Sequence, residues 1–164
     1  MKKLASDKTL KEFYFEAMRK QWGQGTRKKP KNTVPGHEIF VFQNGDLTLV
    51  ELRAESLLDG GISGMINIFD EGNLAWSVHY SGFCEKRVRP FLRKVLSESF
   101  RNGNGAGIRG PRRLEEKKLA YVNLISGNSS FARIQCREKI IKVAINKPDD
   151  KILAEIAFRG GLID

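Results

Sequence analysis

Hydrophobic residues recur at helical spacing in two separate segments of the chain. Residues 8–20 place Leu10, Phe13 and Ala17 on one side of a helix. Residues 86–101 place a longer apolar stripe on one side of a second helix, made of Val88, Phe91, Leu92, Val95, Leu96 and Ser99. Glycine-rich stretches follow both segments and predict where each helix ends. We therefore expect two amphipathic helices.

Elsewhere the hydrophobic pattern alternates with a period of two, which is typical of strands. A hairpin is predicted over residues 39–52 because Asn44-Gly45 readily adopts the positive φ of a tight turn. A second hairpin is predicted over residues 62–80, where His79 falls on the opposite sheet face from Tyr80. Four further strands are predicted at 118–125, 129–136, 138–145 and 151–158.

Both halves of the chain therefore show the same order of a helix, a glycine-rich stop, a basic loop and four strands. An offset of 78 positions aligns the helices and last strands of the two halves, bringing Tyr80 onto Phe158 and Gly82 onto Gly160. We predict a single α+β domain over residues 1–164, built from two repeated units at 7–83 and 84–164. Each unit is a helix on a four-stranded antiparallel sheet. The alternative is that any helix followed by a meander would align this well.

Composition is that of a globular domain. The chain has 164 residues, of which 40% are hydrophobic and 29% charged. Its two cysteines, Cys84 and Cys136, exclude a disulfide scaffold and a four-thiolate zinc site. The longest uncharged stretch, residues 119–132, is shorter than the roughly 20 residues of a membrane span. Charged residues follow Met1 without an apolar segment, so we expect a cytoplasmic protein with no membrane partner.

The chain carries a formal charge of +10, and this excess is unevenly placed. Residues 1–35 hold 10 basic and 3 acidic residues, whereas residues 36–85 hold 1 and 8. Residues 86–118 hold 11 basic and 3 acidic residues. Two basic segments thus flank an acidic one. This asymmetry indicates either an anionic partner or mutual neutralisation of the segments once the chain is folded.

Two basic loops are the candidate sites for an anion or a nucleic acid. Trp22 and Phe100 precede these loops and could stack on bases, but both also continue helix stripes, which favours core packing. Solvated loops without a ligand are the alternative for the charges. The candidate residues are Arg27, Lys28, Lys29 and Lys31 in the first loop and Arg109, Arg112 and Arg113 in the second.

No catalytic residue, metal site or cofactor is predicted. The motif at 105–110 fits G-x-G-x-x-G, but it follows a helix and precedes a strand, the reverse of a dinucleotide-binding fold. The two histidines, His37 and His79, belong to no cluster with metal-ligand spacing. A nucleophilic pair of Cys84 and His79 is disfavoured because they could meet only across a turn.

Several short motifs are similar to those of domain of unknown function 5680, an uncharacterised prokaryotic family that is sometimes joined to helix-turn-helix regulators. The residues that carry the resemblance are Arg109-Gly110-Pro111, Gly127-Asn128, Glu138-Lys139-Ile140 and Gly160-Gly161-Leu162-Ile163, with Ile62 to Ile68, Trp76, Tyr80 and Gly82 in the first half. The chain departs from the family pattern where Ile66 replaces an acidic residue, which leaves Glu138 alone. The resemblance implies no catalytic residue, cofactor or ligand.

These observations favour a non-catalytic module that binds a small ligand or a protein partner. We expect its pocket between the halves or in the concavity of the sheets, lined by Trp76, Tyr80 and Glu138. Nucleic-acid binding through the two basic loops is the second hypothesis. An enzyme with an unrecognised site is the third.

Overall fold

The computed structural model describes residues 5–22, 36–56, 59–103, 105–106, 108–143 and 151–163. In these residues it has two α-helices, α1 (Asp7–Trp22) and α2 (Arg89–Asn102), with a 3-10 turn at Lys86–Val88 before α2. The strands are β1 (His37–Asn44), β2 (Leu47–Glu55), β3 (Gly61–Asp70), β4 (Asn73–Cys84), β5 (Arg113–Glu116), β6 (Leu119–Ile125), β7 (Arg133–Lys142) and β8 (Lys151–Leu162).

All eight strands form one antiparallel sheet in the order β1-β2-β3-β4-β8-β7-β6-β5. The α+β class and the antiparallel pairing are confirmed, but the chain has one continuous sheet where two four-stranded sheets were predicted. The reason is that β4 and β8 pair from Trp76↔Leu162 to Cys84↔Ala154. This pairing satisfies the backbone groups of two strands that would otherwise be sheet edges.

Two glycines make the pairing of β4 with β8 possible. Gly82 and Gly160 have φ of +159° and +152°, and a Cβ atom on either would collide with backbone of the opposite strand. The backbone carbonyls in the way belong to Glu155 and Ser77, respectively. Glycine is thus required on both sides of this pairing for the strands to approach.

Both helices cover the same face of the sheet. Helix α1 reaches the sheet through Phe13, whose ring centroid lies 5.5 Å from that of Phe42. It meets α2 through Phe15, 6.3 Å from Phe100. Trp22 and Phe100 are buried, as their positions in the helical stripes predicted. The opposite face of the sheet carries no helix in the described part of the chain, and we call it the open face.

The strand prediction for the second half is partly wrong. Strand β7 runs unbroken over Arg133–Lys142, where two strands at 129–136 and 138–145 were predicted. Residues 126–132 form a turn instead, held by hydrogen bonds such as that from the Ser129 amide to the Ser126 carbonyl (2.8 Å). The edge strand β5 (Arg113–Glu116) was not predicted, and it begins at Arg113, the last residue of the predicted basic loop. This segment is a strand because it pairs with β6, and not because of its own hydrophobic pattern.

The two predicted hairpins and the second helix end are confirmed. Gly45 has a φ of +60° in the β1–β2 turn. Gly103 has a φ of +67° at the end of α2, where its amide bonds back to the Ser99 carbonyl. In the described residues, no helix is both long enough and apolar enough to cross a membrane.

Candidate ligand-binding groove on the open sheet face

A row of side chains crosses the open face at right angles to the strands. Arg159 on β8 pairs with His79 on β4, His79 with Met65 on β3, Met65 with Leu52 on β2, and Leu52 with Ile39 on β1. Directly opposed residues of antiparallel strands project from the same face and contact each other. The row therefore changes from a cation at β8 to apolar side chains at β2 and β1.

Small side chains occupy the neighbouring row. Ala157 pairs with Ser81, Ser81 with Ser63, and Ser63 with Ala54. Together the two rows border a groove with a volume of about 760 Å³. This volume lies in the range of small-molecule sites. The lining residues are His37, Leu52, Ala54, Ser63, Gly64, Met65, His79, Tyr80, Ser81, Ala157 and Arg159.

Arg159 is the unpaired cation of this groove. Its side chain is exposed, and it forms no ion pair with any carboxylate in the described part of the chain. Two of the cations on β7 are paired, since Arg137 lies 2.9 Å from Glu155 and Lys139 lies 3.8 Å from the same carboxylate. The groove thus ends at one uncompensated positive charge.

A smaller depression of about 170 Å³ continues beyond Arg159 towards β7 and β6. Its border includes Ser126, Gln135 and Arg137, and it shares Arg159 and Ala157 with the main groove. Arg159 therefore stands where an apolar trough meets a polar one.

The covered face of the same sheet carries a different set of polar residues, in the core. Glu51 is 3% exposed, and its carboxylate accepts hydrogen bonds from the Tyr80 hydroxyl (2.7 Å) and from the Gln21 amide. Burial, and then the adjacent Glu51 carboxylate, raise the pKa of Tyr80 well above its ordinary value. Tyr80 therefore stays protonated and serves as a hydrogen-bond donor.

Arg109 and Glu138 form a buried ion pair on this face. The Arg109 Nε atom lies 3.3 Å from Glu138 Oε1, and the residues are 6% and 2% exposed. The guanidinium also lies over the rings of Phe158, at 5.0 Å, and Trp22, at 5.8 Å. Burial raises the pKa of Glu138, and the positive charge of Arg109 partly opposes that rise.

The predicted basic residues do not form one exposed set in the described part of the chain. Arg109 is buried, because Glu138 compensates its charge inside the core. Arg112 is exposed, and Arg113 is exposed and paired with Glu115. The first basic loop, with Arg27, Lys28, Lys29 and Lys31, lies outside the described residues.

The predicted pocket residues lie on the helix-covered face. Trp76 is fully buried, stacks on Phe131 at 4.8 Å and donates its indole N–H to the Phe131 carbonyl at 2.8 Å. Glu138 belongs to the ion pair described above. Tyr80 also borders the groove, although its ring lies against Gly64 on the covered face. The sequence-based selection missed Leu52, Met65 and Arg159, although strand parity was a signal that could have placed them together.

The two free thiols do not line the groove. Cys84 and Cys136 are buried free thiols, and burial raises the pKa of Cys136 to about 12. In the described ranges, no three histidine, cysteine, aspartate or glutamate residues converge on a metal-sized site. The groove thus offers a cation, imidazoles and apolar contacts.

Comparison with family models, with curated proteins and with solved structures found no match to this chain.

Proposed function

We propose that this protein is a non-catalytic module that binds a small ligand in the open-face groove. The observation that carries the proposal is a groove of about 760 Å³ whose wall joins apolar side chains to the unpaired Arg159. The residues with strongly raised pKa values, such as Tyr80 and Tyr121, are buried on the covered face and act within the core. The proposal is therefore binding rather than catalysis.

A screen of chemically diverse small molecules by two-dimensional amide NMR tests this function. We expect some compounds to shift the signals of Met65, His79 and Arg159, and these shifts to disappear in Leu52→Asp. Arg93→Gln on the exposed side of α2 is the matched control and should leave the shifts in place. If no compound shifts groove signals, or if the shifts map to the helix face, the proposal fails.

We further propose that the two halves, 7–83 and 84–164, are repeated units. Two observations support the repeat. Tyr80 and Phe158, which the 78-residue offset aligns, are paired directly between β4 and β8. Gly82 and Gly160, aligned by the same offset, make the same close approach to the opposite strand. The resemblance to domain of unknown function 5680 stays a prediction and adds no ligand.

Nucleic-acid binding is the second candidate, and one surface favours it. Lys117 and Lys118 are exposed and border a depression of about 610 Å³ beside Phe91. Arg87 and Lys94 also border it and pair with Glu85 and Glu116, respectively. Arg112, at the start of the adjoining strand β5, is exposed as well. Such a basic surface is typical of a phosphate-binding interface.

Reversal of charge tests this second candidate. Replacement of Arg112 and Arg113 by glutamate should weaken binding of single-stranded DNA and reduce its salt dependence. The control replaces Lys8 and Lys11, both exposed on α1, by glutamate. This double replacement changes the net charge of the protein by the same amount. Absence of binding at low salt, or equal losses in both double variants, would remove a specific interface at this site.

A further inference from the structure

We propose that the ligand of the open-face groove is an unbranched aliphatic carboxylate. Its carboxylate pairs with Arg159, and its chain crosses β4, β3 and β2 along His79, Met65 and Leu52. This inference names the ligand class and rests on the proposed binding function.

The charge at the end of the groove matches a single carboxylate. Arg159 is exposed and unpaired in the described part of the chain, whereas Glu155 pairs with Arg137 and Lys139. A guanidinium presents parallel N–H donors that match the two oxygens of a carboxylate. Among the described residues that line the groove, Arg159 is the one Lys or Arg, and a single carboxylate matches its charge.

The apolar length of the groove sets the length of the chain. Adjacent strands lie about 4.8 Å apart, so three strand intervals separate Arg159 from Leu52 by roughly 14 Å. In an extended zigzag, each carbon–carbon bond of about 1.5 Å advances the chain by roughly 1.25 Å, so a chain of about ten to twelve carbons with its carboxylate covers this distance. Ile39 on β1 continues the row and allows a slightly longer chain.

The shape of the trough favours an unbranched chain. The row beside Met65 and Leu52 consists of small side chains, Ala54, Ser63 and Ser81, which leave room for a chain that lies along Met65 and Leu52. Met65 is a flexible side chain that can adjust to a methylene chain. Each methylene fully buried in the apolar part of the groove would strengthen binding by roughly fourfold.

A second copy of the chain is a poorer occupant of this face. If a second copy docked through its own open face, it would present apolar residues and another Arg159. Its Glu155 is already paired with Arg137 and Lys139. Among the described residues of that face, the carboxylates Glu155 and Glu115 already have cationic partners and are not free to pair with Arg159. An aliphatic carboxylate complements both ends of the groove at once.

Isothermal titration calorimetry and amide NMR with decanoate, below its micelle-forming concentration, test the inference. Decanol keeps the chain without the charge, and acetate keeps the charge without the chain. We expect decanoate to bind and to shift Met65, His79 and Arg159 signals. Both controls should bind more weakly, by roughly tenfold to a hundredfold for decanol, because the charge-assisted bonds are lost.

Variants separate the two ends of the groove. Arg159→Gln should weaken decanoate binding by roughly tenfold to a hundredfold and leave decanol binding unchanged. Leu52→Asp should weaken the binding of both compounds. Arg93→Gln removes an equal charge on the helix side and should leave decanoate affinity within about twofold.

Equal affinity for decanol and decanoate, or an Arg159→Gln variant that binds like the wild type, would overturn the inference. So would light scattering that shows a dimer whose open face is protected from hydrogen exchange. If other compounds of the screen occupy the groove and decanoate does not, the ligand class is wrong and the binding function stands. If no compound occupies the groove, both proposals fail.

Discussion

The two faces of the sheet differ in the burial and the ion pairing of a charged side chain. On the covered face, Arg109 and Glu138 are nearly inaccessible and lie 3.3 Å apart, so their charges compensate each other inside the core. On the open face, Arg159 is accessible and has no carboxylate partner in the described part of the chain. A buried charge without a partner is costly, whereas an exposed one is solvated. The open face is therefore where a cation is free to take a ligand.

The same comparison explains part of the charge asymmetry along the chain. Glu55, from the acidic segment, pairs with Arg89 from the second basic segment at 2.8 Å. It also forms an ion pair with Arg53. Some of the basic excess in residues 86–118 is thus neutralised inside the fold, as one of the two sequence-based alternatives held. The net charge of each segment does not show which cations lack a partner, because ion pairs also form between segments.

Removal of Arg109 should have the largest effect on stability. Arg109→Ala leaves Glu138 buried without its cation, so we expect the free energy of unfolding to fall by about 3–5 kcal/mol. Urea denaturation followed by circular dichroism measures the loss. The double variant Arg109→Met/Glu138→Leu removes both charges and should recover most of it. A double variant as unstable as Arg109→Ala would show that the cost comes from lost packing.

The pH dependence of Arg109→Ala sharpens this prediction. Burial raises the pKa of Glu138, and loss of Arg109 removes the opposing effect, so the pKa rises further. Between the unfolded and folded pKa values the native variant binds more protons than the unfolded chain, so its stability falls as pH rises. The deficit relative to wild type should be smaller at pH 5 than at pH 8. A pH-independent deficit would contradict an uncompensated carboxylate.

A smaller loss is expected on the covered face from Tyr80→Phe. The Tyr80 hydroxyl donates to the buried Glu51 carboxylate at 2.7 Å, so its removal should cost about 1–3 kcal/mol. Tyr14→Phe is the matched control, since Tyr14 donates to the neutral Ile108 carbonyl at 2.8 Å. We expect about 0.5–1.5 kcal/mol there. If urea denaturation gives equal losses of stability for the two variants, the negative charge of the Glu51 acceptor adds nothing to the strength of its hydrogen bond.

The smallest effect on stability is expected on the open face. Arg159→Gln should change the free energy of unfolding by no more than about 0.5 kcal/mol, because the side chain is exposed and unpaired. The same urea denaturation measures it. A loss comparable to that of Tyr80→Phe would mean that Arg159 supports the fold, and the contrast between the two faces would not hold.

Much of the local structure could be predicted because its causes are local. The stripe of Phe91, Leu92, Val95 and Leu96 predicts α2, and that face is buried. Alternation in β4 predicts that His79 faces away from Tyr80, which the burial pattern of the strand confirms. In these elements each side chain direction follows from backbone period alone.

Features that depend on distant partners were not predictable in this way. A basic loop is usually solvated, and nothing beside Arg109 in sequence shows that Glu138, Trp22 and Phe158 surround it. Strand β5 likewise has a charged sequence, and its pairing with β6 makes it a strand. The groove is lined by residues of several strands, including β2, β3, β4 and β8. Alternation along each strand predicts the face on which a residue lies, but not which residues of neighbouring strands lie opposite each other.

Local sequence patterns were sufficient to predict the two helices, the first two hairpins and which side chains of β4 face the core. These follow from periodicity and turn chemistry, which act over a few residues. The pairing of β4 with β8 was not predictable in this way, because hydrogen bonds between strands far apart in sequence set that register. That pairing places Arg159 opposite His79 and so creates the cationic end of the groove. The side of the sheet on which each cation lies was thus settled by long-range pairing and burial.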